Sequence, residues 1–228
     1  MMPADPIPDL IVRRHFPRPS VPAVMRGAPI GFVVDAQGRF GGLDHRIKPV
    51  TSLAAFCGPA LTVLCREGDN LGAHVALNYI EPGDVVVISA GGFERVAVIG
   101  EKWAGMARNK GAVAIVVDGM ARDSAGLARV PVPIFARGVT PNSSFKHGPG
   151  QIGVPISVGG IAISAGDMIC GDADGVVAVA AYQLDAVAAR LADIIKRETE
   201  MFEAIQSGGQ KPPEMAVIGT ESRIAFID

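Results

Sequence analysis

Aromatic side chains are scarce in this sequence, 5% of 228 residues, and Trp103 is the single tryptophan. A core for a chain this long must then come from Val, Ala, Ile and Leu, small groups that suit sheets packed against helices. No uncharged apolar run reaches the roughly 18 residues that span a bilayer, so no membrane segment is expected. The opening MMPADPIPDL has neither a basic nor an apolar leader region, and a cytoplasmic protein is expected. Basic residues are scattered and the formal net charge is -2, which excludes a broad basic face for nucleic acid. Cys57, Cys65 and Cys170 show no CxxC spacing and, being three, cannot all pair. They read as reduced, buried small hydrophobes.

Familiar catalytic signatures are missing as well. His15, His45, His74 and His147 fall in no HxH or HExxH spacing, which leaves zinc without a ligand set. There is no G-x-S-x-G elbow, P-loop or SxxK, and no lysine in an apolar setting that would suit a Schiff base. Gly148–Gly153 (GPGQIG) satisfies G-x-G-x-x-G but precedes a strand instead of opening a helix. The dinucleotide reading is rejected on that ground, and a methyltransferase reading has no nucleotide loop to rest on.

What the sequence does carry is a series of β-branched runs bounded by turn residues. Strands are expected at Pro59–Arg66, Val85–Ser89, Val113–Val117 and Val132–Ala136. Hairpins are expected where Val154–Val158 and Ile161–Ser164 flank Gly159-Gly160, and where Met168–Cys170 and Val176–Val179 flank Asp172–Gly175. Helices are expected over Leu71–Asn78 after the Gly68-Asp69-Asn70 turn, over Glu101–Asn109, and over Tyr182–Gln206. Val21–Phe40 reads equally as helix or loop. The fold class is α+β, a layered β/β/α domain and not a pure doubly wound sheet. Residues 1–22 form an extended arm, wrapped on a neighbour or mobile. The expected divisions are a β/β/α domain over 23–181, where any catalytic site would lie, a C-terminal helix over 182–208 expected to pack on a neighbouring subunit, and a tail over 209–228.

Three features can carry chemistry. The strand Val113–Val117 is read as ending in a sharp turn at Asp118-Gly119, which presents Arg122 and Asp123 side by side at a cleft. The glycine loop that enters a helix at Gly100-Glu101-Lys102-Trp103 leaves backbone N–H groups for a carboxylate or phosphate. In the terminal helix, Leu184, Val187, Leu191, Ile194, Met201 and Ile205 make an apolar seam, and Glu198 is its one acidic member. A buried carboxylate is costly unless paired or near a metal, so Glu198 is read as either wet or delivered to a cleft. Any metal would be a hard ion held by oxygen, Mg²⁺ or Mn²⁺, with Asp123 the best ligand.

The blocks GPALTVLCREGDNLGAHVAL, EPGDVVVISAGG, GEKWAGMARNKGAVAIVVDGMARD, HGPGQIGVPISVGG and GDMICGDADGVV stand here in the order and spacing of one family. Over roughly residues 30 to 208 the chain resembles the regulator of ribonuclease activity A-like proteins and the metal-dependent 4-hydroxy-4-methyl-2-oxoglutarate / 4-carboxy-4-hydroxy-2-oxoadipate aldolases. D-G-x-x-R-D at Asp118–Asp123 is the most specific piece.

The resemblance implies a swivelling-type β/β/α fold and a homotrimer or homohexamer with sites between subunits. It implies Asp123 as direct ligand of Mg²⁺ or Mn²⁺, and Arg122 as the contact to the keto or enolate oxygen of the pyruvyl group. It further implies Gly100, Glu101, Lys102 and Trp103 as the loop that holds the substrate carboxylate, and Glu101 as the acid beside the ion's water. Glu198 becomes the carboxylate entering from an adjacent subunit. The activity implied is retro-aldol cleavage of a 4-hydroxy-2-keto diacid to pyruvate, with oxaloacetate decarboxylation on the side. The alternative within the resemblance is a non-catalytic regulator that works by protein–protein contact. Lys102-Trp103 departs from the small or aliphatic pair usual there.

Overall fold

The computed structural model describes residues 9–209, together with Ala225 and Ile227. Most of the expected tail, 209–228, therefore lies outside the described residues. In chain order the elements are β1 (Leu10–Val12), α1 (Ile30–Ala36), β2 (Lys48–Pro49), β3 (Phe56–Cys65), α2 (Leu71–Ala76), β4 (Val85–Ile99), α3 (Glu101–Asn109), β5 (Ala114–Ala121) and α4 (Ser124–Leu127). They continue with β6 (Ile134–Ala136), β7 (Gly138–Val139), β8 (Gly150–Ile152), β9 (Ile156–Val158), β10 (Ile161–Ile163), β11 (Met168–Asp172), β12 (Gly175–Val179) and α5 (Leu184–Gln206). The fold class is α+β: a mixed sheet with helices.

At the centre, β3, β4, β5 and β6 run parallel, with Ala60 opposite Val85 and Val85 opposite Ala114. Val85–Ile88 of β4 and Ala114–Val117 of β5 are apolar without interruption because both faces are covered there, as buried parallel strands require. The period of two sorts the side chains. Leu61, Val63, Val86, Ile88, Ile115 and Val117 meet α2 and α3 through Ala73, Ala76, Trp103, Ala104 and Ala107. Ala60, Val85, Val87, Ala114 and Val116 face the other way, toward Phe135 and the β9–β10 hairpin. A third cluster joins β11 and β12 to α1 and the first half of α5.

Several expectations need correction. β5 does not turn at Asp118-Gly119. The Asp118 carboxylate is spent inside the fold, accepting from Arg137 Nε and from the Gly159 amide at 2.8 Å, and the strand runs on to Ala121. β4 likewise continues through the supposed Gly91–Gly100 loop. Gly91 and Gly92, at φ 66 and 70, open a bulge that shifts its register against β5, and the strand resumes to Ile99. Over residues 9–22 the arm packs on its own chain: β1 pairs parallel with β8, and Arg18 Nε holds Asp84 Oδ1 at 2.9 Å.

The cysteines are not all isolated from one another. The antiparallel register of β11 and β3 sets Cys170 opposite Cys57, with Cα atoms 4.1 Å apart and the two sulfurs in contact. They lie 113 residues apart in sequence, so spacing gave no hint of the pair. Cys65 is the free, buried thiol, and burial pushes it up to about 12. Val21–Phe40 resolves into a short turn at Ala23–Met25 and α1, which packs on α5. Among the described residues no helix is long and apolar enough to cross a membrane.

Candidate functional site

The ends of β4 and β5 lie side by side and place two turns in contact. β4 closes at Ile99 and enters α3 through Gly100, while β5 closes at Ala121 and enters α4 through Arg122 and Asp123. The Arg122 amide donates to Ile99 O at 3.0 Å, which locks one turn to the other. Asp123 holds φ +62, a left-handed conformation rare outside glycine and best tolerated by Asp and Asn. Its backbone carbonyl accepts from both Gly126 and Leu127 at 2.8 Å, so α4 is built on this unusual residue.

The close approach demands glycine at one place. A methyl on Gly100 would stand 3.0 Å from Arg122 Cγ and collide with the Asp123 carboxylate. Ala104 is the first residue of α3 to donate within the helix, to Gly100 O at 3.0 Å. The Lys102 and Trp103 amides are left without helical acceptors. Trp103 serves twice: its ring is buried, with Nε1 donating to Ala73 O at 2.9 Å, and it walls the pocket.

These turns enclose a pocket of about 520 Å³, within the range of small-molecule sites. Gly100, Glu101, Lys102, Trp103, Arg122 and Asp123 all line it. Asp123 Oδ2 accepts from the Glu101 amide at 3.4 Å and sits 3.4 Å from Arg122 Nε. Both contacts are long, and both carboxylate and guanidinium remain two-fifths exposed. Arg122 Nη1 also donates to Ser143 Oγ. Glu101 is held by Arg129 at 3.0 Å. Among the described residues no three acidic, His or Cys side chains gather as a ready-made metal cage. One loosely held carboxylate, with Glu101 in the same pocket, fits a hard divalent ion that keeps most ligands from water and substrate.

Glu198 is not in this pocket. Within one chain it sits half-buried beside Asp35, Arg39 and Ile194, between the end of α1 and the middle of α5. Leu184, Val187, Leu191 and Ile194 bury their seam against α1, while Met201 is half-buried and Ile205 stands 55% exposed.

The sequence reading missed Asn70, His74, Ser143 and Lys146, which also line the pocket. In the sequence Asn70 reads only as part of the turn that leads into α2. Its side chain makes no cap bond; Nδ2 donates to Val98 O at 2.8 Å, and Oδ1 is buried without a partner among the described residues. Such an orphan acceptor costs about 1–3 kcal/mol unless a ligand or water supplies a donor. Asp69 does the capping, accepting from Leu71 N at 2.8 Å and His147 N at 2.6 Å. Burial works to raise the Asp69 carboxyl, yet these backbone donors outweigh it and hold it below its ordinary value. Burial, reinforced by the Lys146 charge, holds His74 below its ordinary value and favours the neutral ring.

Residues 32–178 match the family described as "RraA-like: Aldolase/RraA". A protein of Halalkalibacterium halodurans named "Putative 4-hydroxy-4-methyl-2-oxoglutarate aldolase" is 42% identical over 154 residues, 68% of this chain and 73% of that one. A crystal structure of an uncharacterized protein from Pseudomonas syringae superposes with TM-score 0.73 at 26% identity, over 82% of this chain and 92% of the other. The structure titled as the RNA-processing inhibitor RraA from Thermus thermophilis superposes with TM-score 0.62 at 29% identity, over 67% and 92%. With most of the sheet, both turns and the pocket inside the matched span, this chain belongs to the RraA-like family.

Proposed function

We propose that the protein is a divalent-metal-dependent aldolase that cleaves a 4-hydroxy-2-keto diacid to pyruvate and a second keto acid. The observation that carries the reading is the meeting of Arg122, Asp123 and the amino end of α3 in one pocket. The name of the Halalkalibacterium relative supports it.

Retro-aldol cleavage beside a 2-keto acid leaves negative charge on the keto oxygen as the C–C bond breaks. Stabilising that charge is the largest task of the site. The Lys102 and Trp103 amides receive the substrate carboxylate, as a helix amino end favours an anion. Arg122, steadied by Ser143, presents its guanidinium to the oxygen on which the enolate forms. Asp123, with water and substrate, would hold Mg²⁺ or Mn²⁺, which supplies Lewis-acid polarisation of the keto group when bound. Glu101, or Glu198 brought in by a neighbouring copy, accepts the proton of the 4-hydroxyl through water.

The assembly in this proposal is a homotrimer or homohexamer with the site completed between copies, and the layering is of the swivelling β/β/α type. Arg122 and Asp123 also line a second, more open depression with Ser124 and Thr140, which leaves them accessible from outside the first pocket. Oxaloacetate decarboxylation passes through the same enolate and is proposed as a side activity. A lactate-dehydrogenase-coupled assay over several 4-substituted 2-keto diacids, with and without EDTA, tests the reading. Pyruvate release that EDTA abolishes is expected. No release from any of them, beside measurable inhibition of a ribonuclease, would favour the regulator named for the Thermus structure.

A further inference from the structure

Around the bulge, β4 and β5 fall out of step. While β5 advances from Asp118 to Ala121, β4 runs from Ser89 to Ile99 and its register shifts along the way. A neighbour so irregular cannot by itself fix the height at which Arg122 leaves the strand. The other flank of β5 is regular: β7 pairs Gly138 with Met120 and Val139 with Ala121. The Arg137 amide donates to Gly119 O and the Thr140 amide to Ala121 O, each at 2.9 Å. The chain then crosses to the end of β4, where Ala97 N donates to Asn142 O at 2.9 Å and Ser144 Oγ to Ala97 O at 2.8 Å. Ser143 lies between these bonds, and its Oγ accepts from Arg122 Nη1. Residues 137–144 thus form a strap over both strand ends, and the strap touches the site at Ser143.

A slip of one residue along β5 would carry Ser143 away from Arg122, since alternate side chains of a strand point to opposite faces. The side chain of Arg137 stands against that slip. It is 8% exposed, with Nε donating to Asp118 Oδ1 and Nη1 to Asp44 Oδ2 at 3.2 Å. Asp118 Oδ2 in turn accepts from the Gly159 amide at 2.8 Å, and the Asp44 amide donates to Gly159 O at 2.9 Å. The guanidinium also lies against the bulge, for a methyl on Gly92 would stand 3.3 Å from Arg137 Nε. A buried ion pair adds little net stability, and fixing register is its best-attested use. The planar fork of arginine makes both contacts in one rigid geometry, which an ammonium does not.

We infer that Arg137, through its buried bond to Asp118, is a positioning residue for the Arg122 guanidinium: it keeps the strap in step with β5 so that Ser143 meets Arg122 in the pocket. Neither Arg137 nor Asp118 lines that pocket. The inference rests on the role given to Arg122 above and assigns a task to residues outside the site.

Two readouts test it. Peptide-resolved modification of Arg122 by phenylglyoxal needs no turnover, and kcat and KM for pyruvate release with Mg²⁺ report the chemistry. Arg137→Met combined with Asp118→Asn removes the pair without stranding a buried charge. Arg122 should then react about three- to tenfold faster, and kcat should fall about tenfold with KM within about twofold of wild type. Ser143→Ala should do the same, and all three substitutions together should stay within about twofold of it, since they break one chain of contacts. Losses that multiply, or Arg122 reactivity like that of the wild type in the paired variant, would overturn the inference. Should circular dichroism show the paired variant unfolded, Asp44→Asn decides, because it loosens the Nη1 contact and spares Asp118. Arg122 should react about two- to threefold faster there, and no change overturns the inference. Faster modification with no pyruvate released even by the wild type would keep the positioning role and sink the aldolase. Release by the wild type with modification unmoved in the variants would do the reverse.

Discussion

The Asp123 carboxylate lies across the amino end of α3, with Oδ2 3.4 Å from the Glu101 amide nitrogen. A side chain from the turn after β5 thus caps, from outside, the helix that follows β4. The contact is long enough to yield to an incoming oxygen ligand, and it ties the acidic group to the amides proposed to hold the substrate.

Asp123→Ala should reduce metal-dependent pyruvate release by at least about a hundredfold, since both the ion and the adjacent guanidinium lose their anchor. Initial rates across a Mg²⁺ titration check this. Turnover like that of the wild type would remove the metal assignment.

Gly100→Ala adds a methyl 3.0 Å from Arg122 Cγ and into the Asp123 carboxylate. The fold should survive, because the side chains of that turn are partly exposed and can swing away. Turnover should fall about ten- to a hundredfold through misplacement alone. Circular dichroism, melting temperature and kcat/KM measured together separate the two effects.

Glu198 sits apart from the pocket within its own chain, so any catalytic part must be played in a neighbouring copy. Glu198→Gln should lower turnover and leave the oligomer intact. Co-assembly of Glu198→Gln with Asp123→Ala subunits should restore activity at about a quarter of the sites if the acid enters from a partner. Two inactive parents that give an inactive mixture would confine Glu198 to a structural role.

Asp69 carries the pH dependence that can be assigned a sign. Its carboxyl is held below the ordinary value in the folded protein, so its stabilising effect is present above the unfolded pKa, about 3.9, and is lost as pH falls through the lower folded value. Asp69→Ala should cost about 1.5–3 kcal/mol at pH 7, and the gap to wild type should close below pH 4. Urea denaturation at both pH values measures it. A gap that persists at low pH would mean that packing, not charge, sets the loss.

Periodicity along the chain was enough to locate the regular elements. Val85–Ile88 and Ala114–Val117 announced buried strands because every residue is apolar, and Glu101–Asn109 and Leu184–Gln206 announced helices through their spacing and flanking turns. The pairing of Arg122 with Asp123 at a strand's end was legible too, since neighbours in sequence stay neighbours in space. Contacts between distant parts of the chain set the rest. Asp118 reads as a turn residue until Arg137 and the Gly159 amide bury it within β5. Cys57 meets Cys170 only through the antiparallel register of β3 and β11. Asn70, His74 and Lys146 share a pocket with Arg122 because the end of β4, Ala97–Ile99, lies between them, with Asn70 bonded to Val98 and the Arg122 amide to Ile99. Local propensity acts within a few residues. Burial and strand register act between residues a hundred or more apart, and that is where the remaining pocket walls came from.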